Sequence, residues 1–399
     1  MFARRSFLER LSQMPVFATL LAPVASAKPA GVPDYFKELG VTPFINAAGT
    51  FTTMTASLMP PEVMAAIQYA SGYYVHLPKL QDAVGARIAA LCGAEAAMVT
   101  SGCAGALFCG TAGCVTGTDQ QKVLRIPHLD GMKDEVLVQK SHRFPYDHSV
   151  RGVGVRLVEV ESAEEVQQRA GARTAMMLYF NDATNRGRIQ HEEWVALGRR
   201  LNVPTFIDAA ADVPPVENLS RFHRLGFDLV GFSGGKGIRG PQSAGVLMGR
   251  KDLIAAARMN TSPNSDSIAR GMKVNKEEML GMLVALELYF KRDHAADWRE
   301  WERRCDVIGK AVSRVKGVNT RVTVPEIANH APHLELTIDP SVMSMTTLDL
   351  KRQLAEGPPA IEVGPSSNAK RMVIGVWMMQ PGDAETVAAR IVKLLKAGA

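Results

Sequence analysis

Between Ala96 and Gly249, short apolar runs alternate with segments of helical periodicity, and this alternation constrains the fold more than any other feature. The runs are "AAMVTS", "EVLVQK", "VRLVEV", "AMMLYF", "PTFIDA", "FDLVGFS" and "SAGVLMG". Between the fourth and fifth lies "HEEWVALGRRLN", whose apolar residues recur every three or four positions. Strand–helix alternation of this kind predicts a mostly parallel seven-stranded sheet covered on both faces, the α/β class. From about Asn275 the pattern changes. "NKEEMLGMLVALELYFKRDHAADWREWERRCDVIGKAVSRV" predicts one or two long helices, followed by the strands "HLELTID" and "RMVIGVWMM" and a closing helix, "DAETVAARIVKLLKA". The expected organisation is a large domain over 46–270 and a smaller α+β domain over 271–399.

The N-terminus carries a different signal. "MFARRSFLERLSQMPVFATLLAPVASA" has paired arginines, a modest apolar stretch and a small-x-small end. This resembles a twin-arginine export signal over 1–27, with a lead-in segment over 28–45. It places the mature chain in the periplasm, free of the membrane once the signal is removed. The formal charge is +6, of which Arg4, Arg5, Glu9 and Arg10 account for +2. The remainder is dispersed, with no basic run for a nucleic acid to follow. The five cysteines, Cys92, Cys103, Cys109, Cys114 and Cys305, form no C-x-x-C pair and no zinc spacing, so small buried residues are the expectation.

The chemistry centres on "GFSGGKGIRGPQSAGVLMG", with one lysine, Lys236, among glycines. A P-loop would need its first glycine one position earlier than Gly231 and a Ser or Thr after the lysine, where Gly237 stands. Gly235, Gly237 and Gly240 spell a dinucleotide fingerprint, but Pro241 and another strand follow in place of the required helix. A lysine forming a Schiff base with pyridoxal 5'-phosphate (PLP) fits better, because the chain supplies the other parts of such a site. Asp208, at the end of "PTFID", is placed to hold the pyridine nitrogen protonated. Ser101, Gly102 and Cys103, where a strand turns into a helix, form an anion cradle, and Ser233 is positioned to add a hydroxyl. His142 at the end of "EVLVQKSH" is the candidate for stacking on the ring, with Tyr146 as the alternate. For a substrate carboxylate the candidates are Arg371 and Arg239, since arginine offers a bidentate fork.

At these residues the chain resembles the fold-type I PLP enzymes, specifically the group of selenocysteine synthase (L-seryl-tRNA selenium transferase) and D-glucosaminate-6-phosphate ammonia-lyase. The stretches that carry the resemblance are "INAAGTFT", "GAEAAMVTSGCAGAL", "FIDAAADVPPVENL", "GFDLVGFSGGKGIRGPQSAGVLMGRKDLI" and "IARGMKVNKEEMLGMLVALELY". The resemblance implies an aspartate-aminotransferase-type large domain, with Lys236 as the Schiff-base lysine and Asp208 as the pyridinium partner. It also implies at least a homodimer, in which Arg270 and Lys273 serve a neighbouring subunit's site. The region that binds tRNA in selenocysteine synthase is here an export signal, so a small amino substrate is expected and no nucleic acid. The expected activity is a PLP-dependent lyase acting on an amino acid or amino-sugar acid and releasing ammonia and a keto acid. Aminotransferase, racemase and β-replacing transferase chemistry remain open, as does a non-catalytic exported binding protein.

Overall fold

The computed structural model describes residues 32–365 and 367–397. The expected export signal, 1–27, lies outside the described residues, as does the start of the lead-in segment. The strands are β1 (Phe44–Ala47), β2 (Ala96–Ser101), β3 (Glu135–Gln139), β4 (Arg156–Val160), β5 (Thr174–Phe180) and β6 (Thr205–Asp208). They continue with β7 (Leu229–Ser233), β8 (Ala244–Gly249), β9 (Val318–Thr323), β10 (His333–Ile338), β11 (Ala360–Val363) and β12 (Met372–Gly375). β2 to β8 form one seven-stranded sheet in the order β2-β8-β7-β6-β5-β3-β4. Only β8 runs against its neighbours, pairing antiparallel with both β7 and β2. The carboxyl ends of β2, β3, β5, β6 and β7 therefore meet along one edge, where open α/β sheets bind their ligands.

Two apolar cores cover the faces of this sheet. One gathers Val84 and Ile88, the fully buried Trp194, and Met279, Met282 and Leu286. These come from helices Leu77–Cys92, His191–Leu201 and Lys276–Lys291. The other core is built on helix Gly102–Thr116, which is buried on nearly all sides. Its small residues let it lie close to its neighbours. A Cβ on Gly110 would sit 2.5 Å from the Phe206 ring, and one on Gly113 would sit 2.7 Å from the backbone of Ala257. Each of the five cysteines is buried and unbridged. Burial pushes the Cys109 and Cys114 thiols up to about 12, which keeps them protonated and inert.

The C-terminal region forms a three-stranded antiparallel sheet, β12-β10-β9, with helices His294–Val312, Thr347–Glu356 and Asp383–Ala397 around a third core. Two segments are placed differently from the sequence-based boundaries. β1 pairs in parallel with β11, and Ala47 joins the third core, so this strand belongs to the C-terminal unit. Helix Lys276–Lys291 instead packs its apolar face into the large-domain core. No helix among the described residues is long and apolar enough to cross a membrane.

Candidate active site

Lys236 lies in the turn between the antiparallel strands β7 and β8, and close backbone approach explains its glycines. A Cβ on Gly237 would fall 2.0 Å from the Val213 carbonyl, and one on Gly235 would fall 2.4 Å from Gln242 Cα. The turn is stitched to an N-terminal segment. Ser57 Oγ donates to the Gly235 carbonyl at 2.6 Å, and Gln242 Nε2 donates to the Thr52 carbonyl at 3.0 Å.

A cavity of about 480 Å³ opens at this edge of the sheet. Ser101, Gly102, Cys103, Asp208, Ser233 and Lys236 all line it, so residues up to 135 positions apart come together there. Gly102 adopts φ +66, in the left-handed region that favours glycine, and turns β2 into the buried helix. Ser101 makes no side-chain capping bond to that helix, which leaves its first N–H groups for an anion. The turn can lie against β8 only because Gly245 has no side chain: a Cβ there would meet the Gly102 carbonyl carbon at 2.3 Å.

Asp208 is 3% exposed. Burial raises its carboxyl above the usual range, while the Ala210 N–H and the Lys236 charge pull it back down. It accepts from the Ala210 N–H at 3.0 Å and from the Cys103 thiol at 3.4 Å, both on Oδ1. Oδ2 is thus left to receive a donor from a ligand. Burial, followed by the Asp208 charge, raises the Cys103 thiol well above its ordinary range, which fixes it as a hydrogen-bond donor.

Five residues singled out in the sequence lie outside this cavity. His142 is fully buried and does not line the cavity. Its Nδ1 accepts from the Phe180 N–H at 3.2 Å, its Nε2 lies 3.2 Å from Gln139 Nε2, and its ring packs edge-on against Tyr179. The close approach of Gly187 seals it under the 181–187 turn, and burial lowers its pKa to about 4. The aromatic residues that do line the cavity are Tyr146, the alternate, and Phe180. Arg239 is also off the cavity wall. Its Nε donates to the Leu58 carbonyl at 3.0 Å, anchoring the N-terminal segment. Arg371 is paired with Glu335 and lines an adjoining cavity of about 290 Å³. Arg270 and Lys273 are exposed and outside both cavities.

The structure adds wall residues that the sequence reading passed over: Thr52, Asp182, Asp212, Gln242, Ser243 and Asn329. Asp212 has the most unusual environment. Burial raises its carboxyl to about 7, with the Asp208 charge adding to the rise and an Asn181 hydrogen bond opposing it. Its Oδ1 accepts from the Ala328 N–H at 3.1 Å, which ties the β9–β10 loop to the large domain. Its only sequence signal is its place four residues after Asp208 in "DAAAD".

Residues 79–300 match the family model described as SelA: L-seryl-tRNA selenium transferase. The chain belongs to the SelA family. Among curated relatives, this SelA-family chain is 29% identical over 374 residues to a 5'-C-glycyluridine monooxygenase-decarboxylase from a Streptomyces species, covering 90% of this chain and 92% of that protein. It is 26% identical over 375 residues to a D-glucosaminate-6-phosphate ammonia lyase from Salmonella typhimurium, covering 90% and 97%. A solved structure of a D-glucosaminate-6-phosphate ammonia-lyase superposes with a TM-score of 0.80 at 25% identity, over 92% of this chain and 99% of that one. The SelA-family chain is a fold-type I PLP-dependent enzyme.

The residues present fit the cofactor. A buried carboxylate with one free oxygen, an uncapped helix N-terminus beside Ser101 and Ser233, and a lysine amine all open on one cavity.

Proposed function

We propose that this enzyme is a lyase that removes a β-substituent from an amino acid or amino-sugar acid and yields ammonia and a keto acid. The observation that carries the reading is the convergence of Lys236, Asp208 and the Gly102 turn on one cavity. Lys236 Nζ would hold the cofactor's aldehyde carbon and Asp208 its ring nitrogen. The N–H groups of the Gly102 turn, with the Ser101 and Ser233 hydroxyls, would hold its phosphate. Bound there, PLP supplies an electron sink for the pair left on the substrate α-carbon. Burial raises the Asp208 carboxyl, and the Ala210 N–H and the Lys236 charge oppose that rise; as a carboxylate it would favour the protonated ring nitrogen that makes the sink effective. The Lys236 amine would be placed to remove the substrate α-proton as general base.

The ammonia-lyase relative, at 26% identity, supports elimination. The monooxygenase-decarboxylase relative, at 29%, favours decarboxylation as the second reading. Both are tested by incubating PLP-loaded protein with β-hydroxy amino acids and D-glucosaminate and measuring ammonia, keto acid and carbon dioxide. Ammonia with stoichiometric keto acid and no added acceptor is the expected outcome. Carbon dioxide in its place, or an absolute need for a keto-acid acceptor, would overturn the lyase reading.

The sequence supports export: Arg4 and Arg5 precede an apolar stretch that ends in Ala25-Ser26-Ala27. We place the working enzyme in the periplasm, and replacing both arginines by lysine should leave it in the cytoplasm on fractionation. A homodimer or larger assembly is the third part of the proposal. Among the described residues no arginine lines the cavity, and Leu58, Met64, Tyr73 and Tyr74, within one stretch of 17 residues, are each exposed. Light scattering of the purified protein should give at least twice the chain mass, and a monomer would contradict this part.

A further inference from the structure

The two cavities at the sheet edge share one stretch of wall, formed by Asp182, Ala328 and Asn329. The loop that carries Ala328 and Asn329 holds both residues at positive φ, +53 and +48, a conformation that costs a non-glycine residue energy. Three contacts keep it there. The Ala328 N–H donates to Asp212 Oδ1 at 3.1 Å, the Asn329 N–H donates to the Ala211 carbonyl at 2.7 Å, and the Thr50 hydroxyl donates to Asn329 Oδ1 at 3.0 Å. The last contact orients the amide. With Oδ1 facing Thr50, the Nδ2 donors remain for a ligand. On the same wall, no hydrogen bond or ion pair engages the Asp182 carboxylate among the described residues, so the wall common to both cavities carries an acceptor as well as a donor.

The charges around this wall narrow what a ligand lying against it can be. Asp182, Asp208 and Asp212 line the inner cavity, and Lys236 is its only cation among the described residues. A carboxylate or phosphate at this point would face net negative charge, whereas a hydroxyl can accept from Asn329 and donate to Asp182. The outer cavity adds Thr323, His333 and Arg371, the last paired with Glu335, which lines the same cavity.

We propose that Asn329 and Asp182 form a hydroxyl-reading pair on this shared wall, selecting a polyhydroxy amino acid long enough to reach from the Lys236 cavity to the wall it shares with the Arg371 cavity. The proposal rests on the PLP reading above. It makes Asp212 and Thr50 positioning residues, which act by seating Asn329.

The test uses PLP-loaded full-length enzyme and two probes, D-glucosaminate and serine. Binding is read from the shift of the lysine–cofactor absorbance on titration, and KM and kcat are measured separately. The variants are Asn329→Gly, which takes φ +48 without strain and so keeps the fold, and Asp182→Asn at an exposed position. The wild type should prefer D-glucosaminate. Each variant should weaken D-glucosaminate binding about tenfold, chiefly through KM, and leave serine within about twofold. An unchanged preference in both variants, or a wild type that binds serine as tightly as D-glucosaminate, would overturn the pair while leaving the cofactor reading intact. A wild type with no lysine–cofactor absorbance would overturn the cofactor reading itself and the pair with it.

Discussion

Replacing Gly245 by alanine should damage the cofactor site without replacing any residue that would bind the cofactor. Gly245 lies mid-sheet in β8, paired with Thr100 on one side and Ser233 on the other. An added Cβ would sit 2.3 Å from the Gly102 carbonyl carbon, 2.6 Å from its oxygen and 2.7 Å from the Cys103 nitrogen. Ordinary contact begins near ~3.5 Å, so backbone on one side must move by about 1 Å. β8 is clamped between two strands, and the turn is the softer partner. Overpacking of this kind costs about 1–3 kcal/mol, here at the upper end because no flexible side chain can yield. A turn moved by about 1 Å stretches its hydrogen bonds to an anion from about 2.9 Å to nearly 4 Å, which is no bond. Losing one charge-assisted bond of about 1.5–3 kcal/mol weakens PLP binding by tenfold or more. Gly171→Ala is the control, since nothing lies within 4 Å of its Cβ, and it should change stability by less than about 0.5 kcal/mol. Urea melts and equilibrium dialysis of PLP measure both effects. Wild-type stability and PLP affinity in Gly245→Ala would refute the steric account of the turn.

Other predictions follow from charge and burial. Asp212, raised to about 7 by burial, binds its proton more tightly folded than unfolded. Its contribution to stability is therefore complete below about pH 4 and lost as pH rises through about 7, a change on the order of 4 kcal/mol. Asp212→Asn should flatten urea stability between about pH 4 and about pH 7, and an unchanged slope would contradict the assigned environment. His142, His191 and His223 are lowered to about 4 by burial, so they favour the fold above about pH 6.5 and withdraw that support as pH falls toward 4. Acid melts should show proton uptake on unfolding across that window, and their absence would mean these rings are not buried neutral. Asp208→Asn should keep the Lys236 linkage but lower turnover by at least about a hundredfold, since the ring nitrogen loses its anionic partner. Near-wild-type kcat would remove Asp208 from that role.

The sheet was legible because its strands are buried on both faces, and continuous apolar runs such as "AMMLYF" have few other places to go. The convergence of Ser101, Asp208, Ser233 and Lys236 was legible for a related reason: each ends a strand or follows one, and strand ends share an edge. β1 was harder to place. It pairs with β11, more than 300 residues away, and nothing local in "FINA" marks a partner in the C-terminal unit. Helix Lys276–Lys291 has apolar residues suited to either core, so its periodicity could not assign it to one. His142 shows the limit of reading from strand ends. Its position at the end of β3 is as expected, yet Gly187 closes over it. Asn329 carries no sequence signal, because its importance comes from a left-handed loop held by residues more than 100 positions away.

The most direct measurement of the central claim is borohydride reduction of PLP-loaded enzyme, followed by peptide mapping. The cofactor should become fixed to the peptide containing Lys236, the visible absorbance should vanish, and Lys236→Ala should show neither the absorbance nor the labelled peptide. Label on a different lysine, or an unlabelled wild type after PLP has been supplied, would contradict the account.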